Sequence, residues 1–220
     1  MIARQGLGLI AIALVGAITL TTASQADASR HRRRAAKPTS TATPSTRTAS
    51  GRLVDEAEQM IREAGQRDPL DSAKVRAAIG KLEQATKADP HNDAAYVDLG
   101  FSHALLKDPS TAVDMYRKAT EINPSPANFK ELADIYLRVG SPEEALMAAN
   151  AGLGKNPRDA GLYNARGMAL TNMERFDEAE RAFRKALEID PSLTAARVNL
   201  EALGSNTGRS SIMKKKAPAQ

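Results

Sequence analysis

The chain has no cysteine and no tryptophan, and only four phenylalanines, four tyrosines and three histidines among its 220 residues. Each scarcity removes a class of function. Without a thiol there can be no disulfide framework, no thiolate nucleophile, no cysteine-ligated metal and no lipidated-cysteine anchor. The histidines His31, His91 and His103 are scattered along the chain. His103 falls on the core-facing side of a helical pattern, so it reads as a packing residue and no metal site is expected. Gly152 and Gly154 close a helix instead of following a strand, which argues against a phosphate loop. Asp177, Glu178 and Glu180 stand three and four residues from Arg181, Arg184 and Lys185, the spacing of ion pairs on a helix surface. No catalytic constellation emerges. The expectation is a non-enzymatic chain without a cofactor, whose core, with aromatics at 4%, is built from Ala and Leu.

Charge is unevenly placed. The formal net charge is +5, yet residues 51–204 carry 20 basic and 25 acidic side chains, a net of −5. Residues 1–50 hold seven basic and one acidic, and residues 205–220 hold four basic and none acidic. The basicity therefore belongs to the ends. With an acidic middle no nucleic-acid partner is expected, and the ends leave membrane contact as the further partner class.

Residues 1–28 have the three parts of a secretory signal: Arg4, an apolar run from Leu7 to Leu20, and small residues at Ser24, Ala26 and Ala28 for cleavage near Asp27 or Ser29. Export to the periplasm is the expected fate. The alternative is an inner-membrane anchor, favoured by the cluster Arg30 to Arg34 directly after the apolar run. Residues 29–50 continue as a basic and then Ala-, Thr-, Ser- and Pro-rich spacer, which lacks the apolar residues to fold. Residues 204–220, with Lys214, Lys215 and Lys216, are expected to be a disordered basic tail.

Between these ends the chain repeats itself. Pro90, Pro124, Pro157 and Pro191 are spaced by 34, 33 and 34 residues, each preceded by Asp or Asn and followed by a new amphipathic segment. A period of this length with two helices per unit predicts a helical solenoid. The residue classes return in order: Tyr96, Leu99, Gly100, Ala112, Tyr116, Ala119; then Phe129, Leu132, Ala133, Tyr136, Ala145, Ala149, Gly152; then Tyr163, Gly167, Leu170, Ala179, Phe183, Ala186. The small residues allow two antiparallel helices to approach, and the aromatics fill the space they leave. Gly140 is expected to close one helix, and Ser141-Pro142-Glu143-Glu144 to open the next as a capping box.

This pattern resembles the tetratricopeptide repeat, and the chain is similar to the small repeat proteins of bacterial envelopes. The resemblance implies an all-α, right-handed α-solenoid of helix pairs with a C-terminal capping helix. Its units would be a degenerate pair over 52–92, repeats over 93–125, 126–159 and 160–191, and a capping helix over 192–203. Arg166 departs from the pattern where Leu is wanted, His103 and Leu170 where Tyr is wanted, and Ala149 where an aromatic is wanted.

The resemblance further implies that the first helix of each unit lines a concave groove for a protein or peptide partner. The residues so placed are Val97, Phe101 and Leu105 in the first unit, Lys130, Asp134 and Arg138 in the second, and Asn164, Met168 and Asn172 in the third. The positions that clamp a C-terminal carboxylate in chaperone-binding members hold Val97, Phe101, Glu131, Gly161 and Ala165, so that clamp is absent. The function expected is a non-catalytic interaction scaffold of the cell envelope, assembling a secretion or pilus complex. The alternative is an accessory part of a repeat-bearing glycosyltransferase system, suggested by the stretch Asn164 to Gly167.

Overall fold

In the computed structural model, which describes residues 48–206, most helix boundaries coincide with a local cap, turn or proline. The helices are α1 (Ala49–Ala64), α2 (Ser72–Ala88), α3 (Asp93–Leu105), α4 (Pro109–Ile122), α5 (Pro126–Arg138), α6 (Pro142–Lys155), α7 (Ala160–Asn172), α8 (Phe176–Ile189) and α9 (Thr194–Asn206). The described residues contain no strand.

The first helices of the three repeats begin alike. Asn92, Ser125 and Asp159 each use a side-chain oxygen to accept from the backbone N–H three residues on, at 3.3, 3.2 and 3.0 Å. Each such cap satisfies a donor the helix cannot pair itself and contributes about 1 kcal/mol. The second helices end alike: Asp89, Asn123, Asn156 and Asp190 all leave helical geometry, with φ from −146° to −133°, because each precedes a proline.

Within each repeat the two helices join through a left-handed residue. Lys107, Gly140 and Glu174 have φ of 60°, 75° and 58°. In each case the following N–H reaches back to close the turn: Asp108 to His103 O at 2.9 Å, Ser141 to Tyr136 O at 2.9 Å, and Arg175 to Leu170 O at 2.8 Å. This is the six-to-one bond of a Schellman motif. Gly140 closes its helix as expected. The capping box at Ser141 does not form: Pro142 takes the first helical position, but the Ser141 side chain makes no cap hydrogen bond.

The pairs α1/α2, α3/α4, α5/α6 and α7/α8 stack in order, with each second helix packing on the next first helix and α9 closing the row against α8 and α7. The expected all-α solenoid with a terminal helix is what forms. Its core is seated on small residues. A methyl group on Gly100 would stand 3.0 Å from the Tyr116 ring, and one on Gly167 would stand 2.5 Å from Phe183. The middle repeat solves the same crossing with Ala133 and Ala149, both fully buried. Leu203 and Leu200 of α9 cover Phe183 and Leu170.

Two boundaries differ from the sequence expectation. Thr48 caps α1 by accepting from Gly51 N at 3.1 Å, so residues 48–50 belong to the first pair and not to the spacer over 29–50. Ser50 is 2% exposed; its hydroxyl donates to Ala85 O at 2.9 Å and accepts from Asn92 Nδ2 at 2.8 Å. Those partners lie in α2 and at the start of α3, which is why a segment of low-complexity composition becomes helical here. At the other end α9 continues to Asn206, past the expected limit at 203, and Gly204 is buried. The signal-like segment, most of the spacer and the basic tail lie outside the described residues. No helix among the described residues is long and apolar enough to cross a membrane.

Candidate functional site

First helices of neighbouring pairs touch one another, α1 to α3, α5 to α7 and α7 to α9, whereas successive second helices make no comparable contact. The first-helix layer is therefore the shorter, inner rim of the solenoid, and its free faces form the candidate binding groove.

The nine residues expected to line this rim divide by length and polarity. Val97 does not reach it. At 5% exposure it packs with Leu132 and Ala133, because the next first helix covers that register and a short apolar side chain cannot extend past it. Val97 is accordingly a core residue. Phe101 and Leu105 are half-buried against the cluster that joins α1, α2 and α3, so they present edges to the groove and bodies to the core.

One repeat further, the longer Lys130 does extend past the covering helix. Its Nζ lies 2.9 Å from Asp134 Oδ2 and 3.5 Å from Glu131 Oε1, with 39% of the side chain exposed. Asp134 first, then Glu131, hold the lysine above its ordinary range against the opposing effect of burial. It stays a cation at any physiological pH. Arg138, one turn beyond Asp134, is exposed.

In the third repeat the amide of Asn164 is engaged at both ends. Its Nδ2 contacts Met168 Sδ at 3.6 Å and its Oδ1 accepts from Asn199 Nδ2 of α9 at 3.0 Å. Asn172 is exposed at the end of α7. The structure thus brings together Lys130, Asp134 and Glu131 as one charged group and Asn164, Met168 and Asn199 as another. Phe101 and Leu105 stay with the first repeat.

The sequence pattern alone does not single out Asn199, whose helix reads there only as a lid. Nor does it single out a polar clamp between repeats. Asn128, 6% exposed, donates from Nδ2 to Asp93 Oδ2 at 2.9 Å and to Asn123 O at 2.9 Å, while Asn123 Nδ2 donates to the same Asp93 oxygen at 2.9 Å. A buried Asn on an otherwise apolar helix face was the available signal, since such an amide must be satisfied. Among the described residues no group of three or more His, Asp or Glu is placed to hold a metal ion.

Comparison with known proteins agrees with the repeat architecture. Tetratricopeptide repeat models match residues 67–126 and residues 160–193. This chain is a tetratricopeptide repeat protein. It is 34% identical over 87 residues to the small glutamine-rich tetratricopeptide repeat-containing protein 2 of Mycosarcoma maydis, covering 39% of the chain and 25% of that protein. It is 30% identical over 167 residues to the peroxisomal targeting signal receptor of Kluyveromyces lactis, covering 59% of the chain and 30% of the receptor. The repeat protein thus spans under a third of either relative's length. Among solved structures it is similar to PilW, described as a widely conserved type IV pilus biogenesis factor, with a TM-score of 0.64, 20% identity, and coverage of 74% of this chain and 72% of that one. That likeness concerns the fold.

The match over 67–126 begins inside the Gly65 to Asp71 connection and runs through α2, α3 and α4. The helix α1 and the first residues of that connection lie outside the match. With an inner rim of half-buried apolar edges and exposed polar side chains, the repeat protein is built as a protein-interaction scaffold.

Proposed function

We propose that this repeat protein is an envelope-facing scaffold that holds an extended peptide or a partner helix along its inner rim and takes part in assembling a secretion or pilus complex. The observation that carries the reading is the rim itself. Arg138 and Asn172 are exposed and the half-buried Lys130 and Asp134 hold their charged ends together, while Phe101 and Leu105 offer apolar edges in the preceding repeat. Such a surface supplies side-chain hydrogen bonds, charge and an apolar anchor to an elongated ligand. The signal-like segment over residues 1–28 supports export to the periplasm, and the chain reaches that compartment without needing disulfides. Val97, Phe101, Glu131, Gly161 and Ala165 occupy the positions of a carboxylate clamp, so the rim does not hold its ligand by a C-terminal carboxylate in that way.

Site-specific photo-crosslinking in the source cells tests this. A crosslinking residue in place of Arg138 or Asn172 of the full chain should trap one discrete partner in the envelope fraction. The same residue in place of Lys118, on the outer face of α4, should trap far less. Equal capture from Lys118, or a partner found only in the cytosol, would refute the reading.

A further inference from the structure

Repeat-equivalent residues open two hollows on the second-helix side of the solenoid, and their chemistries are opposite. Between α5 and α6 a hollow of about 250 Å3 is lined by Phe129, Leu132, Tyr136, Met147 and Ala148, with Glu144. The residues 34 positions later line a second hollow, of about 160 Å3, between α7 and α8: Tyr163, Arg166, Arg181 and Ala182, with Glu178. Leu132 has become Arg166 and Met147 has become Arg181. The first hollow is apolar, and Met147 is 65% exposed beside it. The second holds two guanidiniums.

Arg166 occupies the slot that the repeat pattern gives to Leu, and its Nε is enclosed without a hydrogen-bond partner. An enclosed donor left unmet costs stability and calls for an acceptor. Glu178 is not that acceptor. Its two oxygens accept from Arg175, from Nε at 2.7 Å and from Nη2 at 2.8 Å, and neither accepts from Arg166 Nε. Arg175 first, and then Arg181 and Arg166, hold the Glu178 carboxyl below its ordinary range, so three guanidiniums surround one carboxylate. The lining itself sets two guanidiniums, Arg166 and Arg181, against the single carboxylate of Glu178.

We propose that these adjoining hollows form a second docking site, on the outer face of the second and third repeats, for a protein segment carrying a carboxylate and a large apolar side chain. The carboxylate bridges Arg166 and Arg181, supplying the acceptor that Arg166 lacks. The apolar side chain enters the hollow beside Met147 and Tyr136. A polyanion such as nucleic acid or an anionic membrane fits poorly, because residues 51–204 are net acidic and Glu143 and Glu144 are exposed nearby. A single acidic side chain on a short apolar segment meets the local positive charge without meeting that field. The site is independent of the inner rim.

The test is selection from a display library of random short linear peptides on the full chain, run in parallel on the Arg166→Leu/Arg181→Met double variant. The wild-type chain should enrich peptides that pair Asp or Glu with a large apolar residue, and the double variant should not. One such peptide, resynthesised, should bind the double variant roughly tenfold or more weakly, the loss expected when a charge partner is removed. Met147→Ser should weaken the same peptide, whereas Arg138→Ala with Asn172→Ala, on the inner rim, should leave it unchanged. The thermal midpoint of Arg166→Leu should hold or rise, since Leu is the side chain this slot ordinarily packs. Enrichment of the same peptides on both proteins would overturn the proposal. So would peptides without an acidic residue, a lowered midpoint for Arg166→Leu, or binding of a DNA oligonucleotide or anionic vesicles in place of peptides through the same two arginines.

Discussion

Replacing Gly167 with alanine adds one methyl group where α7 crosses α8 against the Phe183 ring. The new carbon would lie 2.5, 2.6 and 2.8 Å from three atoms of the Phe183 ring. That ring is 1% exposed and is the largest fully buried side chain described. It has nowhere to go, so α7 and α8 must separate, and overpacking of this kind costs about 1–3 kcal/mol. Against this, alanine favours the helix over glycine by roughly 0.8–1 kcal/mol. With contacts as short as 2.5 Å the cost belongs at the upper end of that range, so the clash wins and leaves a net loss of up to about 2 kcal/mol. Gly100 provides an internal scale, because its methyl would meet the Tyr116 ring at 3.0 Å and needs only a small yield. There the two effects should nearly cancel. Gly80 has nothing within 4 Å, so only the helical gain remains. Equilibrium unfolding followed by far-ultraviolet circular dichroism should rank Gly80→Ala above the wild type, Gly100→Ala close to it, and Gly167→Ala below it. The thermal midpoint should shift by about 2–4 °C for each kcal/mol. A Gly167→Ala chain as stable as the wild type would refute the seating of Phe183 on Gly167, and with it the helix pairing of the third repeat.

Lys107→Gly and Glu174→Gly relieve left-handed residues in the turns where Gly140 already serves the middle repeat, and each should raise stability by roughly 0.5–1 kcal/mol in the same unfolding measurement. Asn128→Ala removes the donor that meets Asp93 and Asn123 O and should cost about 1–3 kcal/mol, with hydrogen exchange accelerating at the α4–α5 junction before elsewhere. Ala145→Leu, at a fully buried crossing, should lower stability by on the order of 1–3 kcal/mol, and an unchanged midpoint would mean that α5 and α6 are wrongly paired.

The fold was legible because its constraints are local and repeated. A proline after Asp or Asn ends a helix whatever surrounds it, and four such breaks at nearly equal spacing fix four second-helix ends. The pairing of Gly100 with Tyr116 and of Gly167 with Phe183 follows from side-chain volume, which can be read from sequence classes. Ser50 could not be read this way. It closes a stretch of Ala, Thr, Ser and Pro, and what holds it in the helix is a pair of hydrogen bonds to Ala85 and Asn92, more than thirty residues away. Ser141 shows the converse: a local motif suited to a capping box, in which proline supplies the start of the helix and the side-chain bond is not made.

The groove was less legible because the same position in successive repeats has different fates. Val97, Lys130 and Asn164 share one register, and the next first helix crosses over all three. Valine ends beneath that helix, lysine reaches beyond it to Asp134, and asparagine is met by Asn199 from the terminal helix. Position within the repeat therefore says which side chains face the rim, while length and polarity decide which arrive there. The same reasoning applies on the outer side to Leu132 and Arg166. Read as packing, an arginine in a leucine slot is a loosened repeat. The structure shows what the loosening leaves: an enclosed Nε without an acceptor, in one lining with Arg181 and with a Glu178 carboxylate whose two oxygens accept from Arg175. A defect in packing and a vacant electrostatic partner are one feature seen from the core and from solvent, and only the second view suggests what could fill it.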